Sequence, residues 1–216
     1  MDGINSDVIA VPNITGVSDI TGVILAGGQS RRMGFNKAEA TVDGETMLAR
    51  MIEKLREVTR HIIVSSGSIT YPDLSWPQVP DEFPQQGPLG GIYSALKAST
   101  THLNLVVACD IPLISVPLLN HIVSKGKENS ASITVPVDSN GMHQMLCAVY
   151  RRDILSVLKQ QVDSNRLKLK ALLDLVLVEY IHISSEHPLY QEHAFTNVNT
   201  ANSLHEAREL WHSKQR

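Results

Sequence analysis

The stretch from Leu25 to Lys37, Leu-Ala-Gly-Gly-Gln-Ser-Arg-Arg-Met-Gly-Phe-Asn-Lys, concentrates residues suited to binding an anion. Adjacent Gly27 and Gly28 let the backbone turn without Cβ clashes and bring its N–H groups against a ligand, and Arg31, Arg32 and Lys37 supply positive charge. The pattern is not a Walker A loop, because Lys37 stands three residues beyond Gly34, and not G-x-G-x-x-G, because the first two glycines touch. A connection with solvated arginines is the plain alternative. Asp110, in Val107-Ala-Cys-Asp-Ile-Pro112, follows an apolar run and is placed to hold Mg2+ through one oxygen while phosphates and water complete an octahedron, or else to cap the next turn. Asp81, in Val79-Pro-Asp-Glu, could accept hydrogen bonds from guanine N1–H and the exocyclic amine, or act as a turn carboxylate. Just beyond it Gly87, Gly90 and Gly91 open a helix whose N-terminus could face an anion. Asn197 and Asn199, one residue apart on an extended segment, would point the same way toward a substrate or ion; capping by Asn199 or Thr200 competes with that role.

Other chemistries find less support. None of the nine histidines pairs at zinc-site spacing on a helix, so all are assigned to the surface, His143 beside Gln144 being ambiguous. Ser30, Ser65 and Ser66 have no base partner legible in sequence. Cys109 reads as a small core residue, and with Cys147 as the only other cysteine there is neither a disulfide framework nor metal-ligand spacing.

Apolar runs alternating with helical periodicity from Thr21 onward must position these residues, which is the βαβ rhythm of a parallel sheet covered by helices on both faces. Gly22 to Ala26 reads as a buried strand stopping at the glycines. Ile62 to Val64 and Leu103 to Ala108 read as further strands. Helices are expected over Thr46 to Val58, with Met47, Leu48, Met51, Ile52, Leu55 and Val58 on one face, and over Leu89 to Ala98. Five of the ten prolines lie from Pro72 to Pro88, so that segment is expected to be a long loop with no regular element. Ser132 to Pro136 and Met145 to Tyr150 read as strands paired around a turn at Asn140-Gly141. Arg166 to Leu175 and Ser203 to Trp211 read as helices; Ser203 with Glu206 forms a capping-box pattern, and Thr200 is a second N-cap candidate. In open α/β sheets ligands bind beyond the carboxyl ends of strands, where Gly27, Gly28 and Asp110 all fall.

Composition sets outer limits. The 216 residues carry 19 Lys and Arg against 22 Asp and Glu, a net charge of −3, which disfavours a nucleic-acid or membrane-surface binder. With 43% hydrophobic residues the chain is that of a globular protein, and no run reaches the roughly 18 apolar residues of a membrane span. Residues 1–20 have Asp2 and Asp7 where a secretory signal needs positive charge; they are expected to form an extension to a single domain over 21–216, in a cytoplasmic protein.

Four blocks in order, Leu25-Ala-Gly-Gly-x-Ser-x-Arg-Met-Gly-x-x-Lys37, Pro80-Asp81 followed by Gly87-Pro-Leu-Gly-Gly-Ile92, Ala108-Cys-Asp-Ile-Pro-Leu113 and Asn197-Val-Asn-Thr200, resemble the molybdenum cofactor guanylyltransferases of the nucleotidyltransferase superfamily. The resemblance implies a single-domain three-layer α/β/α Rossmann-like fold with a mostly parallel sheet. It implies a GTP site of Leu25, Ala26, Gly27, Gly28, Lys37, Asp81 and Asp110, with Mg2+ on Asp110, and with Arg32 and Lys37 stabilising leaving pyrophosphate. Asn197 and Asn199 would then lie toward a molybdopterin acceptor, and molybdoenzymes or other cofactor-biosynthesis proteins would be partners. Ser65, where some members have Asn, and Met145, where proline is common, depart from the pattern. A cytidylyl or sugar-phosphate nucleotidyltransferase would share the glycine loop and Asp110, and a non-catalytic nucleotide-binding adaptor would keep the glycines.

Overall fold

The computed structural model describes residues 18–28 and 36–214; Arg31, Arg32 and Gly34, and all but the last three positions of the expected extension over 1–20, lie outside the described residues. β1 (Ser18–Leu25) begins four residues ahead of the apolar run read from sequence. Val23 and Ile24 are both fully buried but belong to different clusters, so β1 is covered on both faces, as the unbroken apolar run requires.

A 3-10 turn at Lys37–Glu39 leads to the short hairpin β2 (Thr41–Val42) and β3 (Glu45–Thr46). α1 (Met47–Arg56) starts where the Thr46 hydroxyl accepts from Ala49 N at 3.1 Å, and its apolar face of Leu48, Met51, Ile52 and Leu55 is buried. β4 (Thr59–Gly67) and β5 (Gln78–Pro80) follow, then α2 (Gly87–Ala98), β6 (Leu103–Ala108) and α3 (Val116–Glu128). The chain continues through β7 (Ile133–Val137), β8 (Cys147–Arg151), α4 (Leu155–Asp163), α5 (Leu169–Leu173), β9 (Val178–His182) and α6 (Ala201–Lys214).

The seven-stranded sheet has the order β5-β4-β1-β6-β8-β7-β9, and only β8 runs against its neighbours. α1 and α3 pack on one face, around Met51, Leu55, Leu118 and Ile122. α2, α4 and α5 cover the other, around Leu89, Ile92, Leu158 and Leu172. The result is a three-layer α/β/α fold of Rossmann type with a mostly parallel sheet. No helix among the described residues is long and apolar enough to cross a membrane.

Three expectations are corrected. The proline-rich segment contains β5, because an edge strand needs only one set of partners: Pro77 O accepts from Val64 N at 2.9 Å and Asp81 N donates to Gly67 O at 3.0 Å, so the missing proline N–H groups lie off the ladder. The helix expected over Arg166 to Leu175 shrinks to α5, which buries only Leu172 and Leu173. The capping box of Ser203 with Glu206 is replaced by one a turn earlier: Ser203 N donates to Thr200 Oγ1 at 3.1 Å, and Ser203 Oγ accepts from the amides of Asn199 and Thr200.

Candidate functional site

β1, β4 and β6 are parallel neighbours, so their carboxyl ends open on one edge of the sheet. There a cleft of about 820 Å³ is lined by Leu25, Gly27, Lys37, Ser65, Asp81 and Asp110, among others. Gly27 and Gly67 form its floor where the loops after β1 and β4 cross. A Cβ on Gly27 would lie 2.3 Å from Gly67 N, and Gly67 itself takes φ +63°, so neither position tolerates a side chain. Ala26 and Gly28 line the cleft beside them.

Lys37 reaches the site from its 3-10 turn, which Asn36 caps by accepting from Ala38 N at 3.1 Å. Its ammonium stands 3.4 Å from Asp110 Oδ2 and donates to Asn199 Oδ1. Three distant segments thus meet at one cation. Backbone bonds fix the other two: Cys109 N donates to Leu25 O at 3.2 Å, and Val198 N donates to Asp110 O at 2.8 Å. Thr200 takes the N-cap of α6, which leaves the Asn199 amide to Lys37. Asn197, two residues earlier, is exposed.

The Asp110 carboxylate faces Lys37, and its Oδ1 is buried with no hydrogen-bond partner. Desolvation raises its pKa above the usual carboxylate range, and the Lys37 charge only partly opposes that. Such a carboxylate suits a hard divalent cation. Among the described residues no group of three His, Cys, Asp or Glu could hold a metal, so a cation here would take one protein carboxylate and complete its shell from substrate oxygens and water, as Mg2+ does.

Asp81 sits at the far end of the cleft, just past β5, and its Oδ1 is likewise buried and unpartnered. Desolvation alone raises its pKa. Behind it α2 approaches closely: a Cβ on Gly91 would fall 2.9 Å from Ser65 Oγ and 3.5 Å from Asp81 Oδ1. The next residue is fixed by Glu82 N donating to Ser94 Oγ at 2.9 Å and by the Glu82–Lys97 ion pair. The cleft therefore carries unsatisfied acceptors at both ends, with backbone amides and Lys37 near one of them. That arrangement fits a ligand with hydrogen-bond donors at one end and a phosphate chain with a cation at the other.

A second hollow of about 200 Å³ lies farther along the same edge, beyond β7 and β9, lined by Asp138, Tyr190, Phe195 and Thr196 among others. Asp138 is already committed there, accepting from Asn140 N, Met142 N and Gln144 Nε2. Sequence reasoning missed Tyr71, in the connection after β4, and Gln78, at the start of β5, which brace the cleft floor from a stretch with no motif, and it left Ser65 as a departure from a pattern although it lines the cleft.

Comparison with known proteins points to one family and one fold. A family model described as a MobA-like NTP transferase domain matches residues 22–180. A probable molybdenum cofactor guanylyltransferase of Flavobacterium johnsoniae is 33% identical over 87% of this chain and 95% of its own length. One of Pelotomaculum thermopropionicum is 38% identical over 87% of this chain and 91% of its own. The crystal structure of molybdopterin-guanine dinucleotide biosynthesis protein A from Archaeoglobus fulgidus superposes with a TM-score of 0.77 at 21% identity, covering 90% of this chain and 100% of that one, a likeness of fold.

Proposed function

The chain belongs to the MobA-like NTP transferase family, and from that premise we propose that it transfers GMP from GTP to the terminal phosphate of molybdopterin, forming molybdopterin guanine dinucleotide and releasing pyrophosphate. The family's reaction is transfer of a nucleotidyl group to a small-molecule acceptor; the base and the acceptor are the proposed part. The observation that carries the base is the buried, unpartnered Oδ1 of Asp81. Guanine presents two adjacent donors, N1–H and the exocyclic amine, that one carboxylate can accept together, whereas cytosine and adenine present a donor next to an acceptor.

With guanine against Asp81, the triphosphate runs toward Gly27, Gly28, Lys37 and Asp110. An ionised phosphate oxygen of the acceptor attacks the α-phosphorus, the bond from that phosphorus to the bridging oxygen of the β-phosphate breaks, and its electron pair leaves with pyrophosphate. The acceptor oxygen is already deprotonated near pH 7, so no protein nucleophile or general base is needed. Catalysis consists of alignment and charge neutralisation. Lys37, and Arg32 from outside the described residues, neutralise charge on the departing pyrophosphate, and Asn199 orients Lys37 from the acceptor side, with Asn197 alongside. Asp110 would hold Mg2+, which when bound offsets the phosphate charge.

The test is pyrophosphate release from purified protein with Mg2+, molybdopterin and each of the four nucleoside triphosphates in turn. GTP alone is expected to support turnover, and Asp81→Asn is expected to lower the GTP to ATP preference by about tenfold or more, the scale of losing a charged hydrogen bond. Turnover with CTP and not GTP would overturn the guanine assignment.

A further inference from the structure

Tyr71 lies outside every motif and does not line the cleft, yet its hydroxyl joins both ends of the glycine-rich loop. It donates to Ala26 O at 2.9 Å, at the end of β1, and accepts from Asn36 Nδ2 at 3.1 Å, immediately before Lys37. The same Asn36 side chain caps the turn that carries Lys37, accepting from Ala38 N. The chain of contacts is therefore continuous: Ala26 carbonyl, Tyr71 hydroxyl, Asn36 amide, Lys37 turn.

Tyr71 is itself held firmly. Its ring is buried in the core under α1, and its backbone forms a closed pair with the Gln78 side chain: Tyr71 N donates to Gln78 Oε1 and Gln78 Nε2 donates to Tyr71 O, both at 2.9 Å. Gln78 opens β5, which is zipped to β4. The hydroxyl is thus fixed to the sheet, whereas Lys37 stands on a three-residue turn and points back across the cleft to Asp110. A short turn cannot set that distance alone, and the Tyr71 link supplies the missing restraint.

We propose that Tyr71 is a positioning residue for nucleotidyl transfer, holding the Lys37 turn at a fixed distance from the end of β1 so that the ammonium meets the departing phosphate oxygens. This rests on the role of Lys37 given above. Tyr71 acts through Asn36 and touches neither substrate.

The experiment is a kinetic cycle on the full-length protein with saturating acceptor. Tyr71→Phe keeps the ring in the core and removes only the hydroxyl. It is expected to lower kcat about tenfold, up to the roughly hundredfold that follows a 1 Å misplacement, while KM for GTP stays within about twofold. Asn36→Ser leaves an acceptor for Ala38 N but is too short to donate to Tyr71, and is expected to reproduce the loss. In a Lys37→Ala background Tyr71→Phe is expected to have no further effect. Wild-type kcat in Tyr71→Phe overturns the inference, and so does an equal loss with and without Lys37, which would mean that the hydroxyl serves the fold at large. Lys37→Ala with undiminished turnover overturns the reading of Lys37 itself, so the two failures are distinct.

Discussion

Asp110 shows how a single side chain can be unfavourable for the fold and favourable for the reaction. Burial raises its pKa above the usual 3.8, so the folded state binds this proton more tightly than the unfolded chain does. Stability from the group is then fully present below that ordinary value and lost as pH rises through the higher folded value. Asp110→Asn removes the titration. Without divalent cations the variant should melt at the same temperature as the parent or higher near pH 7, and that advantage should vanish below about pH 4, while turnover falls at least about a hundredfold. Calorimetry across pH, paired with pyrophosphate release, reads both; a variant less stable than the parent at pH 7 would show that the Lys37 pairing outweighs desolvation. Asp110 was legible in the sequence from its place directly after an apolar run, and Lys37 as a cation of the glycine-rich stretch that follows β1. Their meeting with Asn199 was not, since contacts across 73 and 162 positions leave no local pattern. Tyr71 and Asn36 were invisible for the same reason.

At the scale of elements, strands with two buried faces announced themselves, and β6 was read from Leu103 to Ala108 without error. Elements with a single covered side did not: β5 was hidden by its prolines, and β9, with Glu179, Tyr180 and His182 exposed, shows little apolar signal. Helix α2 was read by its periodicity, but the reason for its glycines became clear only in three dimensions. An interior glycine in a helix usually costs about 1 kcal/mol against alanine, so Gly91→Ala would ordinarily stabilise. Here the added methyl falls 2.9 Å from Ser65 Oγ, a contact that real Cβ atoms do not make, with Asp81 Oδ1 at 3.5 Å. Gly91→Ala is expected to raise KM for GTP about tenfold with little loss of melting temperature, because α2 and Ser65, which lines the cleft beside Asp81, must shift apart. Ser65→Ala in the same chain should recover part of the affinity. If Gly91→Ala binds GTP as the parent does, the close approach does not shape the base end of the cleft.

Across the whole molecule, a net charge of −3 argues against a broad basic groove, and it coexists with a local site built for anions because charge is an average and the cleft is not. The same contrast between the average and the local governs the two cysteines. Cys109 and Cys147 are 6% and 1% exposed; Cys109 immediately follows β6, and Cys147 opens the adjoining β8, where its register partner is Val107. Burial pushes the Cys109 thiol up to about 12 and raises that of Cys147 as well, so neither forms thiolate at neutral pH. A thiol reagent at pH 8 should therefore leave both untouched in the native protein and modify both on unfolding, at the rate at which the sheet opens. Cys109 also lines the cleft, beside Asp110, whereas Cys147 is enclosed between β6 and β7. Any slow native-state reaction should thus begin at Cys109 and be suppressed by GTP with Mg2+, which stabilises the closed sheet edge by mass action. Mass spectrometry of the labelled protein distinguishes the two sites. Rapid labelling of Cys109 that nucleotide does not slow would mean that the cleft floor opens independently of the site it supports.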